Sequence, residues 1–276
     1  MAGERDILRN LAFFLDGHAI STGASKFEVK VGRESLPWKC YEESGTFHDK
    51  GDWTATVALE GYGKDAEAKL LERLDNEAED DTSFLLLLES NTQLSPHAAV
   101  GSAALLMTCR TYGVDMPAEG GQIKSWMSTH ENSDGSRPFF PKVIYTNRAK
   151  TPAPLGAGVV TPSPVTLLAL DAGTMGVFTV HVTKITGTGV VKVLAEVLSD
   201  TAGFGTPLVR ATFLLFSNED PPSGTDLLGP KSQTIFLDGD VAAFPSETQW
   251  TIRFTVTDTD TDAQVEIAAA GTIVPK

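Results

Sequence analysis

Strict alternation in the last third of the chain constrains its fold most. Trp250, Ile252, Phe254 and Val256 alternate with Thr251, Arg253 and Thr255, the period-2 signature of a strand with one face on a core. Strand-like stretches recur over 177–185, 190–198, 209–216, 234–237, 248–256 and 263–273, separated by Gly, Pro, Asn and Asp. Six or seven short strands at this spacing specify a sandwich or jelly-roll module.

The first part reads as α+β. Phe27, Val29 and Val31 alternate with charged neighbours, as do Ala55, Val57 and Leu59 with Thr54, Thr56 and Glu60, giving two half-buried strands. Between them, residues 32–52 hold Pro37, Trp38, Tyr41 and Phe47 without any period and are expected to be a long functional connection. Ala66, Leu70, Leu71 and Leu74 share one face of a helix predicted over 64–75. The acidic run 77–81 after it reads as a solvated turn. Further strands are predicted over 84–88, 98–112, 122–130 and 139–145, with Ile123 and Met127 opposed to Lys124 and Trp126. Residues 149–164 carry four of the 15 prolines, the composition of a stiff linker. The expected layout is a first domain over 1–150, a linker over 151–164 and an all-β sandwich over 165–276, mainly β throughout.

Sites for chemistry are hard to find. The histidines at 18, 48, 97, 130 and 181 lack the spacing of a zinc helix, and neither a nucleophile elbow nor a phosphate loop occurs. Gly187-Thr188-Gly189 reads as a hairpin turn. Asp258, Asp260 and Asp262 resemble the start of a calcium loop, but Ala263 and Ala269 stand where such a loop needs Gly and Glu. A solvated hairpin turn and a cation site both stay open there, with the turn favoured. Cys40 and Cys109 lack redox spacing and read as free thiols. No enzyme, cofactor or metal is expected.

Charge and hydropathy narrow the partners. A net charge of −14 repels phosphate and argues against a sequence-reading nucleic-acid binder. No apolar run approaches the ~18 to 20 residues of a membrane helix, so no membrane partner is expected. The apolar stretch at 11–15 is too short and acid-flanked for a secretory signal, which implies that the chain stays in the cytoplasm where it is made.

The paired strands 25–32 and 53–61, the helix over 64–75, and the stretch Tyr112-Gly-Val-Asp-Met-Pro-Ala-Glu-Gly-Gly-Gln-Ile leading to Trp126 together resemble the tail tube, or major tail, proteins of long-tailed (siphovirus-like) bacteriophages. The second part is similar to the β module that follows the tube domain in many of them. There, 177–189, Ser199-Asp-Thr-Ala-Gly-Phe-Gly-Thr-Pro and 250–256 match in order. An extra Pro-Pro-Ser-Gly loop within 214–228 departs from the pattern.

The resemblance implies a tail-tube-type β-sandwich or barrel with one packed helix, followed by a sandwich on the tube exterior. It further implies a virion protein that assembles with itself into rings, usually of six subunits, stacked into a conduit for DNA ejection. Tape measure, tail tip and terminator proteins would be partners, and DNA would pass the lumen without sequence-specific binding. In that setting Trp38, Tyr41 and Phe47 are expected at the contact between rings, and Leu70, Leu71 and Leu74 against the tube wall. Six subunits per ring are expected over three, because the second part lacks a counterpart of the helix. A capsid decoration protein and a carbohydrate-binding sandwich are the alternatives, the latter requiring exposed tryptophans.

Overall fold

The computed structural model describes residues 12–15, 18–19, 24–39, 46–62, 82–87, 100–115, 125–133, 136–147, 154–187, 189–217 and 231–276. These are mostly strand, with no α-helix among them. The helix expected over 64–75, with Leu70, Leu71 and Leu74, lies outside the described residues. The strands are β1 (Ala12–Leu15), β2 (His18–Ala19), β3 (Ala24–Lys39), β4 (Thr46–Tyr62), β5 (Thr82–Leu87), β6 (Ala104–Asp115), β7 (Ser125–Asn132) and β8 (Lys142–Thr146). Then follow β9 (Gly158–Val160), β10 (Val165–Thr166), β11 (Thr174–Thr186), β12 (Val191–Asp200), β13 (Leu208–Ser217), β14 (Lys231–Asp238), β15 (Gln249–Asp258) and β16 (Gln264–Pro275).

The chain divides into two compact units at boundaries other than the expected 1–150 and 165–276. One unit comprises Met1–His18, Leu85–Leu105 and Phe140–Lys276, the other Ala19–Phe84 and Leu106–Phe139.

The first unit holds a two-sheet sandwich. One sheet has the order β14-β11-β16-β8; the other has β10-β15-β12-β13, with β9 also on β15. Their inner faces share one core that includes Phe178, Val180, Val193, Trp250, Ile252, Phe254 and Ile267. Aromatics from opposite sheets meet there, Phe178 with Trp250 at 5.4 Å and Tyr145 with Phe254 at 5.3 Å between ring centroids. Gly271 lies opposite Phe178 in register, and a Cβ at Gly271 would come within 2.6 Å of the Phe178 ring. Only glycine leaves room for that ring to cover its neighbour strand. The β11–β16 sheet is buried on both faces: Thr179, His181, Ala268 and Ala270 on its outer face are fully covered, and Phe14 packs 6.0 Å from the His181 ring. Double coverage explains why β11 reads as a nearly continuous apolar run.

Three readings need correcting here. Residues 154–164 are a built-in part of the sandwich and not a free linker: β9 pairs with β15, Leu155 bridges Val265, and the Thr251 hydroxyl donates to Pro162 O at 3.1 Å. Proline is tolerated there because β9 and β10 form a sheet edge. Gly187-Thr188-Gly189 is not a hairpin turn, since β11 and β12 belong to different sheets, and the turn at 258–263 likewise crosses from β15 in one sheet to β16 in the other. The two crossings are tied together, Val190 N donating to Thr259 Oγ1 at 2.9 Å. A Cβ on Gly189 would meet Thr259 and Asp258 at about 2.6 Å or less.

In the second unit the strand order is β6-β7-β4-β3, all antiparallel. The expected pairing of 25–32 with 53–61 is present, with Phe27 opposite Leu59, Val29 opposite Val57 and Val31 opposite Ala55. Ala55, Val57, Leu59, Trp126, Ser128 and His130 lie on the buried face. Trp126 and Met127 do fall on opposite faces, and Trp126 is the buried one. Ser128 and His130 hydrogen-bond each other at 3.1 Å, and burial pushes the His130 imidazole down to about 4.

Candidate assembly interface

Residues 32–52 are not the connection their lack of period suggests. β3 runs on to Lys39 and β4 starts at Thr46, so the two strands form one long hairpin paired as far as Trp38 opposite Phe47 and Lys39 opposite Thr46. β4 acquires its second neighbour only further on, where β7 pairs from Thr56–Glu131 to Tyr62–Ser125. Among the described residues, the part of β4 before residue 55 pairs with β3 alone. The distal hairpin is therefore a two-stranded arm. From the Arg33–Trp53 pair to the Ser35–Lys50 pair, β3 advances two residues and β4 three. That extra residue, at Gly51–Asp52, is a bulge that bends the ribbon at its root.

The root is fixed by Asn132, where the β4–β7 ladder stops. Its Oδ1 accepts from Ala55 N at 2.7 Å, and its Nδ2 donates to Trp53 O at 2.8 Å and to Ser136 O at 3.0 Å. A side-chain amide thus continues the ladder past the last backbone pair. Beside it, Arg33 stacks on the Trp53 ring at 4.5 Å, and Arg137 approaches the same ring at 5.9 Å, within the range of cation–π attraction. This cluster was missed in the sequence. Extending the recognisable β3–β4 pairing by one residue would have found it.

Among the described residues β3 is also the terminal strand of its sheet. Phe27, Val29 and Val31 continue the apolar face of β4 yet stay half-exposed, while Leu59, Val57 and Ala55 opposite them are buried. On the other face Lys26 pairs with Glu60 at 2.8 Å and Lys30 with Glu28 at 3.0 Å. The carboxylate of Glu60 raises the Lys26 ammonium above its ordinary value. Exposed pairs like these add little stability, but lysines on an edge strand limit indiscriminate pairing.

Of the three expected anchors, Trp38 and Phe47 are register partners in the β3–β4 ladder, whereas Tyr41 lies outside the described residues. The aspartate cluster at 258–262 is organised as a turn: Asp258 accepts from Asp260 N at 3.1 Å and from Ala263 N at 2.6 Å. Among the described residues no group of three or more His, Cys, Asp or Glu could hold a metal, and no helix is long and apolar enough to cross a membrane. Trp126 and Trp250 are buried, which removes two of the tryptophans that a sugar-binding surface would need exposed.

No protein-family model and no curated protein matches the chain. Among solved structures it is similar to a protein of the virion of a native gene transfer agent particle (14% identity, 48% of this chain and 95% of that one, TM-score 0.36). A protein from the tail of an empty gene transfer agent particle with C6 symmetry is comparable (13%, 51% and 98%, TM-score 0.36). The Dit protein of phage SPP1, a hub of the adsorption apparatus, covers more of the chain (10%, 96% and 99%, TM-score 0.31). At such low scores none of the three bears on function.

Proposed function

We propose that this chain is a non-enzymatic structural protein of a phage tail that assembles with copies of itself into stacked rings, six subunits each, forming a tube through which DNA passes. The observation that carries this reading is the arm. A two-stranded ribbon is marginal in water on its own, and a long terminal strand is an aggregation liability unless something covers it. Both features are satisfied if a second copy supplies the missing surface. A contact between two different patches, repeated around an axis, closes into a ring when the rotation allows.

In this reading Trp38, Tyr41 and Phe47 anchor the arm on the next ring, because large aromatics gain most from desolvation at an interface centre. Leu70, Leu71 and Leu74 support the tube wall. The net charge of −14 suits a conduit past which DNA slides without sticking. Tape measure, tail tip and terminator proteins would complete the tail.

The test is negative-stain microscopy of the purified chain beside a variant with Trp38, Tyr41 and Phe47 all replaced by serine. Uniform tubes or rings are expected from the first and folded monomers from the second. Tubes from the triple variant would remove the arm from the contact, and loss of its fold would mean that the aromatics pack within their own subunit.

A further inference from the structure

Among the described residues the strands that end a sheet are β2, β3, β8, β9, β10, β13 and β14, and all but one carry a safeguard against pairing with a further chain. β2, β9 and β10 are two or three residues long. β8 is bridged by Ala103 at Lys142. β13 shifts register twice against β12, and β3 carries exposed Lys26, Glu28 and Lys30. Short length, cover, bulges and charges are the usual devices that blunt an edge.

β14 has none of them. It pairs with β11 through eight consecutive residues, from Lys231 opposite Val182 to Asp238 opposite Met175, without a register shift. Among the described residues β11 is the one strand it pairs with. The residues between Lys231 and Asp238 read Ser-Gln-Thr-Ile-Phe-Leu, with neither charge nor proline. The cover over β11 also stops short of β14: Val177 is fully buried, while Phe236 opposite it is 55% exposed.

Just past Asp238 a loop displays Val241, which is 85% exposed. That loop is braced. Val241 N donates to Asp238 O at 3.1 Å, Asp240 accepts from Gly173 N at 2.7 Å, and Lys276 pairs with both Asp238 and Asp240. An apolar side chain on a braced loop is already ordered for contact, which lowers the entropic cost of binding. A long, flat, uncharged edge next to it is a template for one more strand.

We infer that β14 is the edge on which the arm of a neighbouring copy docks as an added strand. This rests on the self-assembly reading and specifies its receiving surface. The arm is a two-stranded ribbon without a third strand among the described residues, and β14 is a sheet edge without a next one. Each supplies the N–H and C=O row that the other lacks. Their lengths agree, since at about 3.3 Å per residue both β14 and the arm from Arg33 to Lys39 run on the order of 20 to 26 Å. Arm and edge are different patches of one chain, so the contact is head-to-tail and can repeat from copy to copy.

The experiment uses the full chain, as wild type and with Gln233→Lys and Phe236→Lys together, both at exposed positions. Sedimentation velocity and microscopy read the concentration at which assembly begins, and the two lysines should raise it by about tenfold or more with the thermal transition unchanged. Hydrogen exchange then compares wild-type assemblies with wild-type monomer. Amides of 231–238 and of the arm, 33–39 and 46–53, should both slow by about tenfold or more on assembly.

An unchanged assembly threshold in the lysine variant overturns the inference and leaves the arm reading to the serine variant. Protection of 231–238 without protection of the arm overturns it too, because something other than the arm then occupies the edge. If the double lysine variant does not fold by circular dichroism, Gln233→Lys alone replaces it, with the same expected direction and the same negative result. A wild-type chain that stays monomeric sinks the assembly reading itself.

Discussion

The sandwich and the β3–β4 arm are both antiparallel ribbon, yet they stand at opposite ends of self-sufficiency. In the sandwich every inner face meets another, and the sheet containing β11 and β16 is covered on both sides, so that even Thr179 and His181 are fully buried. Beyond the Trp53 root, the arm has two strands and no third among the described residues. The first region is finished within one copy. Under the proposed function the second is completed by another copy, so stability and assembly should separate cleanly between the two.

The sharpest way to break that comparison is the serine replacement of Trp38, Tyr41 and Phe47. Assembly should vanish while the thermal transition stays where it was. A core truncation should do the reverse. Phe254→Ala, at a ring that is buried against Tyr145, should cost about 3 to 5 kcal/mol in denaturant unfolding. A loss below about 1 kcal/mol would mean that the sandwich core is looser than its burial implies.

Acid provides an intermediate effect within the second unit. His130 is held neutral by burial with its value near 4, against about 6.5 when unfolded. Between those values the unfolded chain binds the extra proton. Stability should therefore fall as pH drops from about 6.5 to about 4, by on the order of 3 kcal/mol from this group alone. His130→Gln should flatten that part of the pH profile, and an unaltered slope would refute the assignment to His130. The smallest effect concerns Asn147, whose Oδ1 accepts from Ile267 N at 2.7 Å and whose Nδ2 donates to Val265 O at 2.7 Å. Asn147→Ala leaves that buried amide without its side-chain acceptor and should cost about 1 to 3 kcal/mol, read as a lower denaturation midpoint with an unchanged slope.

Legibility in the sequence followed packing. All six strands expected after residue 165 are present, because each lays one face on a core and alternation records that choice. Residues 32–52 hid their strands for the opposite reason. Before residue 55 β4 pairs with β3 alone among the described residues, and a two-stranded ribbon has no third strand to impose period 2, so Pro37, Trp38 and Phe47 look like a loop. The crossings at 187–190 and 258–263 were legible as turns but not as passages between sheets, since local sequence fixes the bend and distant partners decide what it joins. Proline content at 151–164 suggested a linker, although the same residues suit the edge of a sheet. A cut after residue 150 would therefore separate β8, with the buried Val143 and Ile144, from its partner β16.

Asn132 and Asn147 share a device with a consequence for how such a protein can vary. A backbone ladder is indifferent to substitution, since nearly every residue brings the same N–H and C=O. At the end of β7 and just past β8, however, an asparagine amide copies the peptide group and supplies the last rung. Those rungs are encoded in single codons. One base change can shorten a sheet by a step there, and another can restore it, so the reach of each ladder is open to gradual inherited adjustment while the rest of the fold stays as it is.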